Sequence, residues 1–256
     1  MKLEFQRNRM RKLVYIFLLL SQVFWAQDAF EEGNKLYQKG NYEQAVSVYQ
    51  NILDSGQESA EVYFNLGNCF YKLKKTAPAI YNFEKALQLE PNDCEILNNL
   101  GFAQKMTIDH IEEVPKLGFS KLLSDLTSSF HYDTWAWLAV VFAFLGLFGF
   151  SGYYFSSTTA LKRVFFSAMV FSVLLVLLSV FAGFFEKNRL EKESPAIVFA
   201  DEVIVKSEPN ASAPDVFTLH EGTKVYALET VGNYKKIQLL NQKEGWIVKS
   251  AIKELN

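Results

Sequence analysis

Two long apolar runs near the middle of the chain constrain its fold most. Trp135 to Phe155 is 21 residues without a charge, and Val164 to Phe185 is 22. At about 1.5 Å per residue, each run as a helix reaches roughly 32 Å, enough to cross a bilayer core of about 30 Å. A helix in the core of a soluble protein keeps one polar face; neither run has one. Trp135, Trp137, Tyr153 and Tyr154 lie near the ends of the first run, where interfacial aromatic belts form. The pattern predicts two transmembrane helices, 135–155 and 164–185, joined by the short loop 156–163. Lys162 and Arg163 assign that loop to the cytoplasmic side, because short positive loops stay there. A charged connector follows at 186–194. Its Lys187, Arg189 and Lys192 run against this orientation, but the first apolar segment usually dominates.

The amino terminus agrees with that orientation. Lys2, Arg7, Arg9, Arg11 and Lys12 precede the apolar stretch from Leu13 to Leu20, and Ser21 to Ala26 follow. This is the layout of a secretory signal peptide. Phe24 is large at a position where cleavage favours small residues, so residues 1–26 read as a signal peptide or as an N-terminal anchor. The segment beyond then crosses outward, the first long run returns, and the second goes out again. Both soluble parts are expected in the periplasm of a bacterial cytoplasmic (inner) membrane.

Between these regions the chain repeats itself. Gly33, Gly67 and Gly101 are each 34 residues apart, as are Ala45 and Ala79, and Tyr49 and Phe83. The clearest unit runs from Tyr63-Phe64-Asn65-Leu66-Gly67-Asn68 through Ala79, Phe83 and Ala86 to Pro91. Small residues at Gly67 and Ala79 let two helices approach, Phe83 fills the space between them, and Pro91 ends the second helix. This resembles the tetratricopeptide repeat. The first unit carries Gly40-Asn41-Tyr42 at its turn and Gln57 in place of the closing Pro. The third keeps Leu97, Leu100 and Gly101 and then loses the pattern, so Cys94 to Met106 reads as a capping helix. The predicted all-α solenoid covers residues 27–107. Cys69 and Cys94 form no CxxC and are expected as small buried residues.

The resemblance implies a concave face lined by the first helix of each unit. Its candidate partner-binding residues are Phe30, Asn34, Tyr37, Phe64, Asn68, Tyr71 and, on the cap, Phe102. Asparagine offers both a donor and acceptors to a peptide backbone, and the aromatic rings offer apolar pockets. The same residues could instead pack between repeats. Some relatives grip a carboxyl terminus with a clamp of basic and Asn residues. Asn34 and Asn65 match its asparagines, whereas Phe30, Glu95 and Asn99 stand at its basic positions.

Residues 108–134 form a linker. Within it Phe119, Leu122, Leu123, Leu126 and Phe130 share one helical face, with Lys121, Asp125 and Ser128 elsewhere. This predicts an amphipathic helix, lying in the membrane interface or simply linking the domains. After Pro195 the period shifts towards two: Val203 and Val205 alternate with Ile204 and Lys206, and Val225 and Ala227 with Tyr226 and Leu228. Short strands with Gly turns predict a small all-β barrel over 195–256. Leu219-His220-Glu221-Gly222-Thr223-Lys224-Val225 and Gly245-Trp246-Ile247 resemble bacterial SH3-like domains. Tyr234 stands where that pattern usually has Trp, and Tyr234 and Trp246 are the candidate SH3-like groove. Trp246 in a purely structural role is the other reading.

The fold class is therefore a multidomain membrane protein: a repeat solenoid, two transmembrane helices and a small SH3-like barrel. In order and content it resembles the BatE-type aerotolerance-operon family of Bacteroidetes. The residues that carry this are Gly33, Gly67 and Gly101, Asp133-Thr134-Trp135-Ala136-Trp137 entering the membrane, and Leu219 to Val225. The resemblance implies an envelope complex with von Willebrand A-type membrane proteins, a linked MoxR-type ATPase and a role in stress tolerance. No enzyme motif is present: His110, His131 and His220 are scattered, and HExxH, GxSxG and a phosphate loop are all missing. No catalytic residue, metal or cofactor is expected. A net charge of −2 gives no reason to expect nucleic acid. With no acid or base inside the apolar runs, a transport path is not expected either. The function expected is that of a membrane-anchored protein–protein interaction scaffold. The alternative is a cell-wall-binding sensor acting through the SH3-like domain.

Overall fold

A computed structural model of the chain describes residues 28–111 and 119–255. The expected signal peptide or anchor lies outside the described residues. The chain divides into two compact units, one holding the repeat helices and one the apolar helices and the sheet.

The repeat unit is built from α1 (28–38), α2 (Tyr42–Asp54), α3 (Ala60–Lys72), α4 (Thr76–Leu89) and α5 (Cys94–Gln104). Ser59 caps α3 by accepting the Val62 amide at 3.2 Å, satisfying one of the free donors of the first turn. The turns between paired helices repeat atom for atom. In the first, the Gly40 amide donates to the Tyr37 carbonyl and Asn41 to Leu36. Thirty-four residues on, Lys74 donates to Tyr71 and Lys75 to Phe70. Gly40 adopts φ +80° and Lys74 φ +56°, so the second repeat holds a Lys in a left-handed conformation suited to Gly.

Close helix approach follows from the glycines. A Cβ at Gly33 would lie 2.6 Å from the Tyr49 ring, and one at Gly67 2.6 Å from the Phe83 ring. A Cβ at Gly101 would meet nothing within 4 Å. The core behind the first pair is Ala45, Tyr49, Ile52, Val62, Leu66 and Cys69. Cys69 is fully buried, but Cys94 is exposed. The expectation for Cys94 is corrected, since it is the first residue of α5 and sits at the solvent end of that helix.

In the second unit, α6 (Phe119–Thr127) leads into α7 (Tyr132–Phe155), and α8 (Thr159–Glu193) follows after only three residues. The two long helices pack against each other through glycines on α7. A Cβ at Gly149 would touch the backbone of Met169 and Phe165 at 3.4 Å. A Cβ at Gly152 would fall 2.5 Å from the Phe165 ring. Ser172 donates to the Phe142 carbonyl at 2.5 Å, a polar contact between helices that otherwise meet through apolar surface. Gly183 on α8 lies against Trp135 and the Tyr132 carbonyl of α7, and Ser179, one turn earlier, is buried. Helix α8 does not stop where its charges begin. It runs through Lys187 and Arg189 to Glu193.

At the α7 entrance, Trp135 donates its indole N–H to the Thr127 carbonyl at 2.9 Å and meets the Phe130 ring edge-on at 5.4 Å. Glu186 on α8 is buried here. It accepts from Thr127 Oγ1 at 3.5 Å and from Arg189 Nε at 3.0 Å. Paired in this way, the carboxylate avoids the cost of standing alone in a buried place.

The carboxyl-terminal part is an antiparallel seven-stranded sheet of β1 (Pro195–Val198), β2 (Glu202–Lys206), β3 (Asp215–His220), β4 (Lys224–Val231), β5 (Tyr234–Leu239), β6 (Glu244–Val248) and β7 (Ile252–Glu254). The strand order is β3-β2-β6-β5-β4-β1-β7. Hairpins account for the β2–β3, β4–β5 and β5–β6 neighbours, and the β2–β6 pairing brings distant strands together through Lys206 and Trp246. Gly245 permits that crossing. A Cβ there would lie 2.4 Å from Val205 Cγ1. The expected alternation appears as burial: Val205, Val225, Ile237 and Ile247 fill one face, and Ile204 and Leu228 stay largely exposed.

Candidate functional site

Helices α1 and α3 present the same three residue types at the same spacing: Phe30, Asn34 and Tyr37, then Phe64, Asn68 and Tyr71. Steps of four and three residues keep each trio on one helical face. All six are half-buried. The Phe30 ring lies 5.9 Å from that of Tyr49, and the Phe64 ring 5.9 Å from that of Phe83. Each therefore rests its base on the aromatic residue that fills its own repeat. Tyr37 meets Tyr42 edge-on at 5.2 Å. Burial, with Tyr42 and Cys69 nearby, raises the Tyr37 phenol above its ordinary value and keeps it neutral.

The asparagines form a ladder. Asn34 Oδ1 accepts from the Tyr49 hydroxyl at 2.6 Å and from Asn65 Nδ2 at 3.0 Å. One repeat later, Asn68 Oδ1 accepts from Asn99 Nδ2 at 3.2 Å. Both side-chain bonds span 31 residues, and the second is the first moved on by one repeat. The Asn34 and Asn68 oxygens thus join successive first helices. Phe102 on α5 takes the place that Asn34 and Asn68 hold in the earlier units. It is 51% exposed, with Lys105 Nζ 5.1 Å from its ring centre. Leu97, read from the sequence as a repeat position but not as a partner-binding residue, is 46% exposed on the same helix. Its signal was available, since it holds the large-residue position of the third unit, as Tyr63 does in the second.

In the sheet, Tyr234 pairs with Val248 and Trp246 with Lys236 across β5 and β6. The register puts Tyr234 and Trp246 on one face, opposite Ile237 and Ile247. Tyr234 is half-buried, and Trp246 is only 9% exposed. Among the described residues, no three His, Cys, Asp or Glu side chains gather as a metal would require.

Tetratricopeptide repeats are found in the first half of the chain. Profiles of the tetratricopeptide repeat and of the TPR repeat match residues 60–93 and 33–74. Such repeats imply a protein–protein interaction module. Among curated proteins, the chain is 33% identical over 75 residues to sperm-associated antigen 1 of Mus musculus, covering 29% of this chain and 8% of that protein. It is 34% identical over 99 residues to RNA polymerase-associated protein CTR9 of Saccharomyces cerevisiae, covering 37% and 9%. It is 42% identical over 57 residues to BBSome complex member BBS4 of Xenopus tropicalis, covering 22% and 11%. The chain thus spans about a tenth of the length of these relatives, and the likeness is that of the repeats.

Proposed function

We propose that this protein is a non-enzymatic scaffold anchored in a bacterial cytoplasmic membrane. Its repeats hold protein partners on the face formed by Phe30, Asn34, Tyr37, Phe64, Asn68, Tyr71 and Phe102. The observation that carries the reading is the repeated stripe itself, ending on the exposed Phe102.

Anchoring rests on the state of α7 and α8. Both are long and apolar enough to cross a membrane. Neither is a buried core helix: Phe148 is 72% and Phe155 81% exposed, as are many side chains around both helices. A continuous apolar surface of that size needs lipid or protein to cover it. The three-residue turn between them and the Lys162-Arg163 pair at the start of α8 favour a cytoplasmic turn. The Arg189–Glu186 pair offsets part of the opposing charge at the far end of α8. Both soluble parts then lie in the periplasm. The carboxyl-terminal sheet is assigned to the SH3-like class on its Leu219 to Val225 and Gly245-Trp246-Ile247 motifs. The whole arrangement is that of the BatE-type family, with von Willebrand A-type membrane proteins as the proposed partners and stress or oxygen tolerance as the process served.

The test is cross-linked purification from membranes of the wild type and of a Phe64→Ala/Tyr71→Ala variant. Specific membrane proteins should co-purify with the wild type and be lost from the variant. An unchanged partner set would remove the groove from the argument. Binding of purified cell wall by the full chain, together with an empty partner set, would replace the scaffold by the wall sensor.

A further inference from the structure

The segment that follows α5 is held against the sheet by a carboxylate. Asp109 Oδ2 accepts from the His220 backbone amide at 2.7 Å and from Thr223 Oγ1 at 2.6 Å. Its Oδ1 lies 2.8 Å from His220 Nδ1. A carboxylate only accepts, so the ring nitrogen at that distance is the protonated one. Three donors from one short turn, β3 to β4, therefore converge on a single carboxylate. Gly222, at φ +85°, shapes that turn and donates its own amide to the Val198 carbonyl at 2.8 Å. The turn is thus fixed from behind while its front faces Asp109. Two residues further on, Ile111 packs on the hydrophobic core of the sheet. Residues 109–111 belong to no helix or strand. The side chains of Asp109 and Ile111 tie this short irregular segment to the sheet.

We propose that the β3–β4 turn, with the His220 amide and imidazole and the Thr223 hydroxyl, is a carboxylate-recognition site for an extended protein segment of the form Asp-x-Ile. Asp109 and Ile111 are its built-in occupant. The occupant is a short irregular stretch anchored by an Asp and an Ile, so an equivalent segment on a partner protein can exchange with it. The linker acts as an intramolecular competitor that sets how much of the site is open. The site is separate from the repeat face and does not depend on that face binding anything.

The test uses the full chain in lipid nanodiscs and a fluorescent peptide copied from residues 105–113. Asp109→Ala should bind the peptide at least about ten-fold more tightly than the wild type, because a closed linker divides the apparent affinity by the fraction of open sites. A peptide with Asn in place of its Asp should lose that binding, and so should Thr223→Val placed in the Asp109→Ala chain. Equal binding by wild type and Asp109→Ala, or by the Asp and Asn peptides, overturns the proposal. A measurement on the wild type covers the case in which the variant fails to fold. Excess peptide should speed hydrogen exchange at residues 107–111 while 219–225 stay protected. No change at 107–111 under peptide excess also overturns it.

Discussion

Gly67 and Gly101 hold the same place in successive repeats and have opposite requirements. At Gly67 an added methyl group would press into the Phe83 ring, whereas at Gly101 it would meet open space. Gly67→Ala should therefore destabilise the repeat unit by about 2 kcal/mol through overpacking. Gly101→Ala should stabilise it by up to about 1 kcal/mol, because Ala is the better helix former. Chemical denaturation of each variant checks both signs; a similar loss at both positions would mean that α5 is covered by a further helix. The two cysteines differ as sharply. Cys69 is fully buried, and burial pushes its thiol up to about 12. Cys94 is exposed. A membrane-impermeant maleimide added to intact spheroplasts should label Cys94 alone, and Cys94→Ser should abolish the signal. Labelling only after lysis would place the repeats in the cytoplasm.

The elements were legible in the sequence to the extent that their causes are local. Helices α1 to α5 follow from small and aromatic residues spaced 34 apart, and the apolar helices from the absence of charge. The end of α8 was not legible from hydropathy. Residues 186–193 are charged, but Glu, Lys and Arg are good helix formers, and no Pro interrupts them before Pro195. The strands were visible as alternation and turns, but their order was not, because the β2–β6 pairing depends on residues 40 apart at Lys206 and Trp246. Gly245 is the point at which that pairing can be tested. Gly245→Ala should cost about 2 kcal/mol by forcing a methyl into Val205, measured by thermal unfolding of the full chain in detergent. A neutral outcome would mean that β2 and β6 are not closely paired. For the candidate site, the stripe could be read from helical spacing. The asparagine ladder could have been read as well, since Asn34/Asn65 and Asn68/Asn99 share a separation of 31 residues. Nothing local to Asp109 marks it as the partner of His220, 111 residues away.

For the molecule as a whole, the contact between Asp109 and His220 acts as a parity rule. It closes a loop of chain that contains both α7 and α8. A loop whose ends touch in water must re-enter the compartment it left, so the number of bilayer crossings between residues 109 and 220 is even. A single crossing would pull the clasp apart. The segment 107–111 and the sheet therefore share one aqueous compartment, and a reporter placed on either locates both.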